Sequence, residues 1–431
     1  MLTRRDTLRI LGAAGLAAPV LTACGDGSSP PAPDPAGMRL VSAEVARSAG
    51  SPAAVPGVVA AMGSFTGDLW PLLGRADRNL ALSPYSIAAA LAMTVNGAAA
   101  GTRSQMLDVL HIGSLASYNG GIGALTRAIE GLAGPVELED GTSDRIALDS
   151  ANQLFGDGST TWGRAFLTVL AKEYGAGMRT VDFRHAAEEA RTLVNAWTAE
   201  RTHDRIPMIL PAGVVDEATR LVLVNALYVK APWLSPFDKQ STRSGPFHRA
   251  DGTTVTVDLM HSGADGSAVW VPGTHFVGAR LPYAGNTLAM TVALPDGGHE
   301  SAALVEMLTR LTHRGDPGGV EISMPRWTFR TPTDLKAPLQ QLGMTDAFTD
   351  AADFRPMSPT DPLQVSDVLH DAFVAVDEDG TEAAAATAVV MGESSARLTD
   401  HTLVLDRPFL FVIHDTAHGT PLFVGRVADP S

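Results

Sequence analysis

One run of ten residues places the strongest constraint on the fold. Residues 220–229, RLVLVNALYV, are almost continuously apolar and rich in β-branched side chains. A strand of this composition is typical of the centre of a sheet that is covered on both faces, whereas a strand with one solvated face alternates apolar and polar residues. The sequence therefore predicts a central strand beneath other layers of the molecule.

The rest of the body mixes helical and strand patterns. Apolar residues recur at helical spacing in residues 84–110, where Ser83 and Pro84 supply a helix start, and in residues 186–200. Strand patterns separated by turn residues occupy residues 253–260, 268–271, 277–283, 287–294, 408–414 and 421–426. This mixture predicts an α+β fold, and no second linker divides it.

The first residues resemble an export signal. Three arginines, at positions 4, 5 and 9, precede an apolar run from Ile10 to Leu21 that is too short to span a bilayer comfortably. Residues 3–8, TRRDTL, resemble a twin-arginine signal, and residues 21–24, LTAC, resemble a bacterial lipobox, whose cysteine receives lipid. The alternative is an amphipathic first helix with a chance cysteine. Cys24 is the only cysteine, so no intramolecular disulfide and no cysteine-based zinc site is possible.

These features divide the chain into three parts. Residues 1–23 are predicted to be a signal peptide, and residues 24–52 a lipidated cysteine followed by a disordered linker rich in Pro, Gly and Ser. Residues 53–431 are predicted to be the folded domain. The expected location is that of an exported bacterial lipoprotein, at the outer face of the cytoplasmic membrane or the cell surface, with the lipid on Cys24 as its membrane contact.

Charge and motifs argue against several function classes. The formal net charge is −15, and a strongly acidic chain is a poor partner for nucleic acid. The sequence contains none of the G-x-S-x-G, H-E-x-x-H or G-x-x-x-x-G-K patterns of common enzymes, and its 12 histidines show no convincing ligand spacing. These observations argue against those enzyme classes and against a histidine-based metal site. We expect a monomer without cofactor or metal.

Residues 380–392, GTEAAAATAVVMG, form the most unusual segment. Alanine favours a helix, which is one interpretation. However, the segment is polar only at its start, becomes β-branched toward its end and precedes a polar stretch from 392 to 400. Read as a strand, it carries one charge, Glu382, on one face and none on the other. Small residues would allow it to enter between two existing strands, which indicates a stored conformational switch.

At this segment a family resemblance appears. Residues 378–382, EDGTE, followed by four alanines, resemble the reactive-loop hinge of inhibitory serpins. The similarity extends over about residues 55–431 through further motifs: NLALSPYSI at 79–87, LVNALYVK at 223–230 followed by PW at 232–233, DL to GM at 334–344, DRPF at 406–409 and GRVADP at 425–430. One departure lies at residues 201–206, RTHDRI, where the family usually has a T-x-G-K-I-like run.

The resemblance implies a fold and a mechanism. The fold would be that of serpins: a large mixed β-sheet that accepts the reactive loop (about residues 378–402), two smaller sheets and about eight to nine helices. A serine-type protease would attack the loop and form an acyl-enzyme. The cleaved loop would then insert into the sheet and distort the attached protease, making the chain a suicide-substrate inhibitor.

The resemblance also assigns roles residue by residue. The hinge comprises Glu378, Gly380, Thr381, Glu382, Ala383, Ala384, Ala385, Ala386 and Thr387. A polar cluster under the sheet centre, the shutter, comprises Ser83, Ser86, Asn225 and His370. The opening end of the sheet, the breach, has Trp233 and Arg326, the latter as the charge partner of Glu378.

The scissile bond and the function class leave alternatives. Family spacing from the hinge glycine indicates Ser394-Ser395, which would suit an elastase-like or subtilisin-like protease, with Glu393-Ser394 as a neighbouring option. A loop about three residues longer than usual would instead favour Arg397-Leu398 and a trypsin-like protease. The chain could also be a non-inhibitory serpin that acts as a surface binding protein, or an unrelated hydrolase or ligand-binding lipoprotein.

Overall fold

The computed structural model describes residues 35–74, 76–138, 141–262, 267–313, 315–382 and 399–431. The predicted signal peptide, Cys24 and the first part of the linker lie outside the described residues, and so do residues 383–398 of the reactive loop. Among the residues described, no helix has the length and apolar character needed to cross a bilayer.

Eight α-helices are present in the described residues, within the expected range. They are α1 (Val55–Leu69), α2 (Pro84–Val95), α3 (Ala100–Val109), α4 (Leu115–Glu130), α5 (Arg164–Val169), α6 (Phe183–Arg201), α7 (Glu300–Thr309) and α8 (Lys336–Gln341). The helix predicted at 186–200 is α6, whereas the pattern at 84–110 is two helices. The helix is interrupted near Gly97. An added Cβ at this glycine would lie only 2.5 Å from the Met357 Cε atom.

The strands, numbered along the chain, form two sheets. The first contains β1 (Arg39–Val41), β3 (Gly134–Glu137), β4 (Ser143–Ser150), β5 (Gln153–Asp157), β6 (Met178–Val181), β7 (Leu221–Pro232), β14 (Trp327–Asp334), β15 (Asp367–Val376) and β16 (Gly380–Thr381). The second contains β2 (Leu80–Leu82), β8 (Arg243–His248), β9 (Thr254–His261), β10 (Val269–Pro272), β11 (Phe276–Pro282), β12 (Leu288–Pro295), β13 (Asp316–Pro325), β17 (Thr399–Val404), β18 (Phe409–Asp415) and β19 (Pro421–Val427).

The second sheet contains the strands that the sequence predicted after residue 250. Instead of two separate smaller sheets, the described strands form one continuous path, β2-β19-β18-β12-β11-β10-β13-β9-β8, with β17 beside β13. The short strand β10 makes the junction, because it pairs with β11 on one side and with β13 on the other. The large mixed sheet of the predicted fold is the first sheet.

The predicted central strand is β7, and eleven of its twelve residues are buried. Its alternate side chains enter two different hydrophobic clusters, because successive residues of a strand point to opposite faces. Leu223 and Leu227 join the cluster that contains α2. Val222 and Val224 join the cluster formed by α6 and the segment that follows it. Coverage of both faces explains why the strand is almost continuously apolar.

The N-terminal boundary differs from the prediction. Residues 35–52 were assigned to the linker, but β1 pairs antiparallel with β6 at the sheet edge. Met38 is buried against the α6 layer, and the Ser51 backbone N–H donates to the Gly120 carbonyl oxygen at 2.7 Å. This part of the chain therefore packs on the domain. The error arose from composition, since a few buried contacts hold a segment that is otherwise rich in small and polar residues.

Candidate functional site

The opening of the first sheet lies between β7 and β15. In their lower part these strands pair directly and in parallel, from Asp367 opposite Val222 to Ala372 opposite Leu227. Beyond Ala372, toward the C-terminal ends of both strands, they diverge. There the two-residue strand β16 lies between them, antiparallel to both. The first hinge residues thus already occupy the upper end of the gap.

Gly380 fits this position because it has no side chain. Its φ is +154°, and a Cβ there would lie 2.3 Å from the carbonyl oxygen of Ala231. A tight turn leads into it: the backbone N–H groups of Asp379 and Gly380 both donate to the Asp377 carboxylate, at 2.9 and 3.2 Å. Only glycine therefore fits position 380 in this conformation, and its role as the hinge glycine stays a prediction.

Thr381 is buried, and its side chain contacts Tyr283, which directly follows β11 of the second sheet. The hydroxyl groups of Thr381 and Tyr283 are 2.5 Å apart. The Trp233 ring stacks on Tyr283, with ring centroids 4.5 Å apart, and its indole N–H donates to the Asp377 carbonyl at 2.9 Å. The structure thus places Trp233 next to β16, against Tyr283 and Asp377, and its role at the breach stays a prediction. Sequence reasoning missed Tyr283, which stands at the end of a predicted strand without any distinguishing motif.

Glu378 and Arg326 form an ion pair beside the same turn. The guanidinium donates twice to one Glu378 carboxylate oxygen, at 2.9 and 2.6 Å, and the Thr242 hydroxyl donates to the same oxygen at 2.6 Å. Glu378 is only 2% exposed. Burial alone would raise the pKa of its carboxyl, but the Thr242 and Arg326 hydrogen bonds outweigh burial, so the pKa is lowered.

The chain leaves the sheet at Glu382. Its backbone N–H still donates to the Ala375 carbonyl at 2.8 Å, but its φ is +48°, in the left-handed region. Its carboxylate is hydrogen-bonded to the Arg205 guanidinium. Burial raises the pKa of Glu382, and Arg205 acts in the opposite direction. Arg205 belongs to the segment 201–206 that departs from the family pattern.

The shutter residues meet beneath the sheet centre. The Ser83 backbone N–H donates to His370 Nε2 at 2.9 Å, so Nδ1 carries the proton and donates to the Asn225 side-chain oxygen. Burial lowers the pKa of His370 to about 3, which keeps the ring neutral. The Ser86 hydroxyl donates to Asn152. Asn152 was missed because it lies in a short connection between β4 and β5 and contacts the cluster only in the folded chain.

Several predicted positions lie outside the described residues. They are the later hinge residues Ala383, Ala384, Ala385, Ala386 and Thr387, and the candidate bonds formed by Glu393, Ser394, Ser395, Arg397 and Leu398. Within the described ranges, no cluster of three or more His, Asp or Glu side chains is arranged to hold a metal ion.

Comparison with known families decides the assignment. The family model described as Serpin (serine protease inhibitor) matches residues 60–430 of this chain.

This chain belongs to the serpin family.

Curated serpins resemble it over nearly their whole length. The leukocyte elastase inhibitor of Sus scrofa is 35% identical over 379 residues, which cover 85% of this chain and 97% of that protein. Human serpin B8 is also 35% identical, with 86% and 98% covered. Among solved structures, the thermophilic serpin tengpin in its native state has a TM-score of 0.75 and 27% identity, and covers 86% of this chain and 94% of its own.

The family places this serpin among protease inhibitors rather than enzymes. The sequence motifs pointed to the same family and fold, and both predictions are confirmed.

The contacts at the breach and shutter join residues that are far apart in the chain. The Trp233 indole N–H, for example, donates a hydrogen bond to the Asp377 carbonyl, and the ring stacks on Tyr283.

Proposed function

We propose that this serpin traps a serine-type protease as a suicide substrate by inserting its cleaved loop between β7 and β15. The observation that carries the proposal is the position of Gly380 and Thr381, which already pair with Pro232 and Ala231 of β7 in antiparallel register. A strand that has begun to form gives the rest of the cleaved loop a register to follow.

Extending this register gives the path that we propose for the loop. Thr381 lies opposite Ala231 on β7 and Val376 on β15. Six residues further along each strand, Thr387 would lie between Asn225 and His370, which are now direct neighbours. Insertion would therefore have to separate the shutter pair and replace the parallel β7–β15 pairing with two antiparallel pairings.

The alanines of the hinge suit a gap that is covered on both sides. In the extended register, Ala384 and Ala386 would face the same side as Tyr228 and Ala226, toward the α6 layer, while Ala383 and Ala385 would face the α2 layer. Large side chains would clash with either layer. This explains why a segment with high helix propensity would serve here as an inserted strand.

The free energy for trapping would come from new ladder hydrogen bonds and newly buried apolar surface. Strands rise ~3.3 Å per residue, so insertion of about 13 residues would carry the acyl bond roughly 40 Å along the sheet. Residues up to about Glu393 would extend β16 into the full inserted strand, which begins at Gly380. The attached protease would be displaced and distorted before deacylation.

The reactive bond is proposed at Ser394-Ser395, with Glu393-Ser394 and Arg397-Leu398 as the alternatives. A small residue before the cut would suit an elastase-like or subtilisin-like protease, and Arg397 would suit a trypsin-like one. The relative from Sus scrofa is named for leukocyte elastase, which supports an elastase-like target for this chain.

We further propose that the protein acts outside the cell as a lipoprotein, at the outer face of the cytoplasmic membrane or the cell surface. The support is sequence alone: the lipobox-like LTAC at residues 21–24 contains the only cysteine. A Cys24→Ser variant is expected to leave the membrane fraction, whereas a Thr22→Ser variant is expected to stay there. Equal partitioning of the Cys24→Ser variant and the parent would contradict lipid anchoring.

The trapping test mixes the purified full-length chain with elastase, subtilisin or trypsin and examines denaturing gels. We expect a covalent adduct with at least one protease, and mass spectrometry of the released C-terminal fragment would locate the cleaved bond. A protease whose catalytic serine has been chemically blocked is the matched control and should give no adduct. Simple cleavage by all three proteases, without any adduct, would overturn the inhibitory function.

A further inference from the structure

We infer that Arg205 is a positioning residue that halts the uncleaved hinge at Thr381 by holding the carboxylate of Glu382 at the mouth of the gap. The inference rests on the proposed insertion mechanism. It adds one contact that opposes insertion of the intact loop before a protease cleaves it.

The Arg205–Glu382 contact is partly shielded from water. The side chain of Glu382 is 10% exposed and that of Arg205 is 50% exposed. Charge-assisted hydrogen bonds are stronger than neutral ones, and partial burial of the carboxylate reduces screening by solvent. The Arg205 guanidinium also lies over the Phe373 ring of β15, 5.5 Å from its centroid. Arg205 therefore connects the hinge to one wall of the gap.

The opposite wall is covered by the same segment. The His203 ring lies against the Tyr228 ring of β7, with centroids 4.4 Å apart. In the register set by β16, Ala384 would enter between Tyr228 and Phe373. Arg205 and His203 thus lie over the next position facing the α6 layer that an inserting loop would occupy.

The backbone conformation of Glu382 differs between the halted hinge and an inserted strand. Its φ of +48° is unfavourable for a residue with a side chain. An inserted antiparallel strand requires φ near −140°. Insertion would require this backbone to change, so the contact with Arg205 in its present geometry belongs to the halted hinge and stabilises it.

Arg205 is held in place rather than projecting freely. His203 and Asp204 precede it with φ values of +50° and +60°, two successive left-handed residues. The backbone N–H of Asp204 donates to Ala199 at 2.8 Å, and His203 Nε2 is 2.9 Å from the Asp149 carboxylate. This strained turn after α6 is the segment in which the sequence departs from the family pattern, and it directs Arg205 over the gap.

The test compares Arg205→Met, Arg205→Lys and Glu382→Gln with the parent full-length chain. Each protein is incubated without protease below its unfolding temperature, and samples are assayed for remaining inhibitory capacity and for an inactive, more urea-resistant form. Arg355→Met is the matched control, because Arg355 forms an ion pair with Asp353 but is 78% exposed and its partner lies outside the sheet.

We expect Arg205→Met and Glu382→Gln to convert to the inactive, urea-resistant form about tenfold faster than the parent, as the loss of one charge-assisted hydrogen bond would give. The initial stoichiometry of trapping by Arg205→Met should stay at the parent value. Arg205→Lys should restore most of the delay, and combining Arg205→Met with Glu382→Gln should add little, since both remove the same contact.

Two results would overturn the inference. One is conversion of Arg205→Met and Glu382→Gln at the parent rate, and the other is equal acceleration by Arg355→Met. If Arg205→Met fails to fold, Glu382→Gln decides, because it leaves the turn after α6 intact. A parent that forms no adduct with any protease would refute the proposed function itself, whereas normal trapping with unaltered conversion would refute only the role of Arg205.

Discussion

His370 on β15 and Asn225 on β7 are register partners in the first sheet, and their side chains are hydrogen-bonded to each other beneath it. The second ring nitrogen of His370 accepts from the backbone N–H of Ser83 at the start of α2. Through this one ring the two strands that would have to separate are joined to the layer below. The shutter is therefore a buried polar network whose hydrogen bonds would have to break before the loop could insert along the proposed path.

The neutral state of His370 predicts a pH dependence of stability. Burial lowers its pKa to about 3, whereas an unfolded histidine titrates near 6.5. The unfolded state therefore binds the proton first, so the stabilisation is complete above pH 6.5 and is lost as pH falls toward 3. Urea unfolding midpoints should decrease between pH 7 and pH 4.

A His370→Gln variant separates this effect from other groups. It should be destabilised at pH 7 by about 1–3 kcal/mol, because buried partners lose their hydrogen bonds. Its urea midpoint should change less with pH than that of the parent. His414, whose pKa burial lowers to about 4, and Glu378, whose pKa hydrogen bonds lower, would contribute to the remaining dependence. An unchanged pH profile in His370→Gln would show that His370 does not titrate as described.

Replacement of Thr381 with arginine should convert the inhibitor into a substrate. Thr381 is buried between β7 and β15 and meets the Tyr283 hydroxyl, so a charged side chain would have to be desolvated for the hinge to insert. We expect the number of inhibitor molecules consumed per protease trapped to rise more than about tenfold, as a desolvation penalty of this kind implies. Titration of protease activity with the variant measures it.

The conservative variant Thr381→Ser is the control for this prediction. It retains the hydroxyl at the position that contacts Tyr283 and should trap almost as well as the parent. If Thr381→Arg still formed the covalent adduct with the parent stoichiometry, insertion beyond Thr381 would not be required for inhibition.

A Gly380→Ala substitution should expel the hinge from the gap. The added Cβ would lie 2.3 Å from the Ala231 carbonyl oxygen, which is too close for any real contact. Thr381 would then lose its site beside Tyr283, and the hinge should become more susceptible to proteolysis. Limited proteolysis with a non-target protease, followed by mass spectrometry, would measure this.

Gly57→Ala is a matched control for that experiment, since a Cβ at Gly57 meets nothing within 4 Å and the position is inside α1. It should stabilise the helix by about 0.5–1 kcal/mol. Equal hinge cleavage in Gly380→Ala and the parent would argue that the close approach to Ala231 relaxes without displacing the hinge.

Cleavage of the reactive loop should make the protein more stable. Insertion would add a strand with two new hydrogen-bonded neighbours and would bury the alanines and valines of the loop. The thermal midpoint of the cleaved chain, measured by circular dichroism, should rise clearly above that of the intact chain. A Thr381→Arg chain cleaved in the same way should show a smaller rise, and an unchanged midpoint in the cleaved parent would remove the driving force for trapping.

The sequence alone was sufficient for the features that depend on local pattern. Residues 220–229 predicted a central strand because a strand covered on both faces must be apolar throughout, and β7 confirms this. The hinge residues around Gly380 and the motifs at Ser83 and Trp233 identified the family, since their residue types must occur in a fixed order along the chain.

Other features were decided by contacts between distant parts of the chain. Arg205 meets Glu382 across 177 residues, and Thr381 meets Tyr283 across 98. Neither partner carries a local signal, because an exposed arginine and a strand-end tyrosine are ordinary in isolation. The same reason applies to Met38, whose burial against α6 placed the start of the domain earlier than composition had suggested. Composition and periodicity report what a segment can form, whereas only the packed chain determines which distant surface it covers.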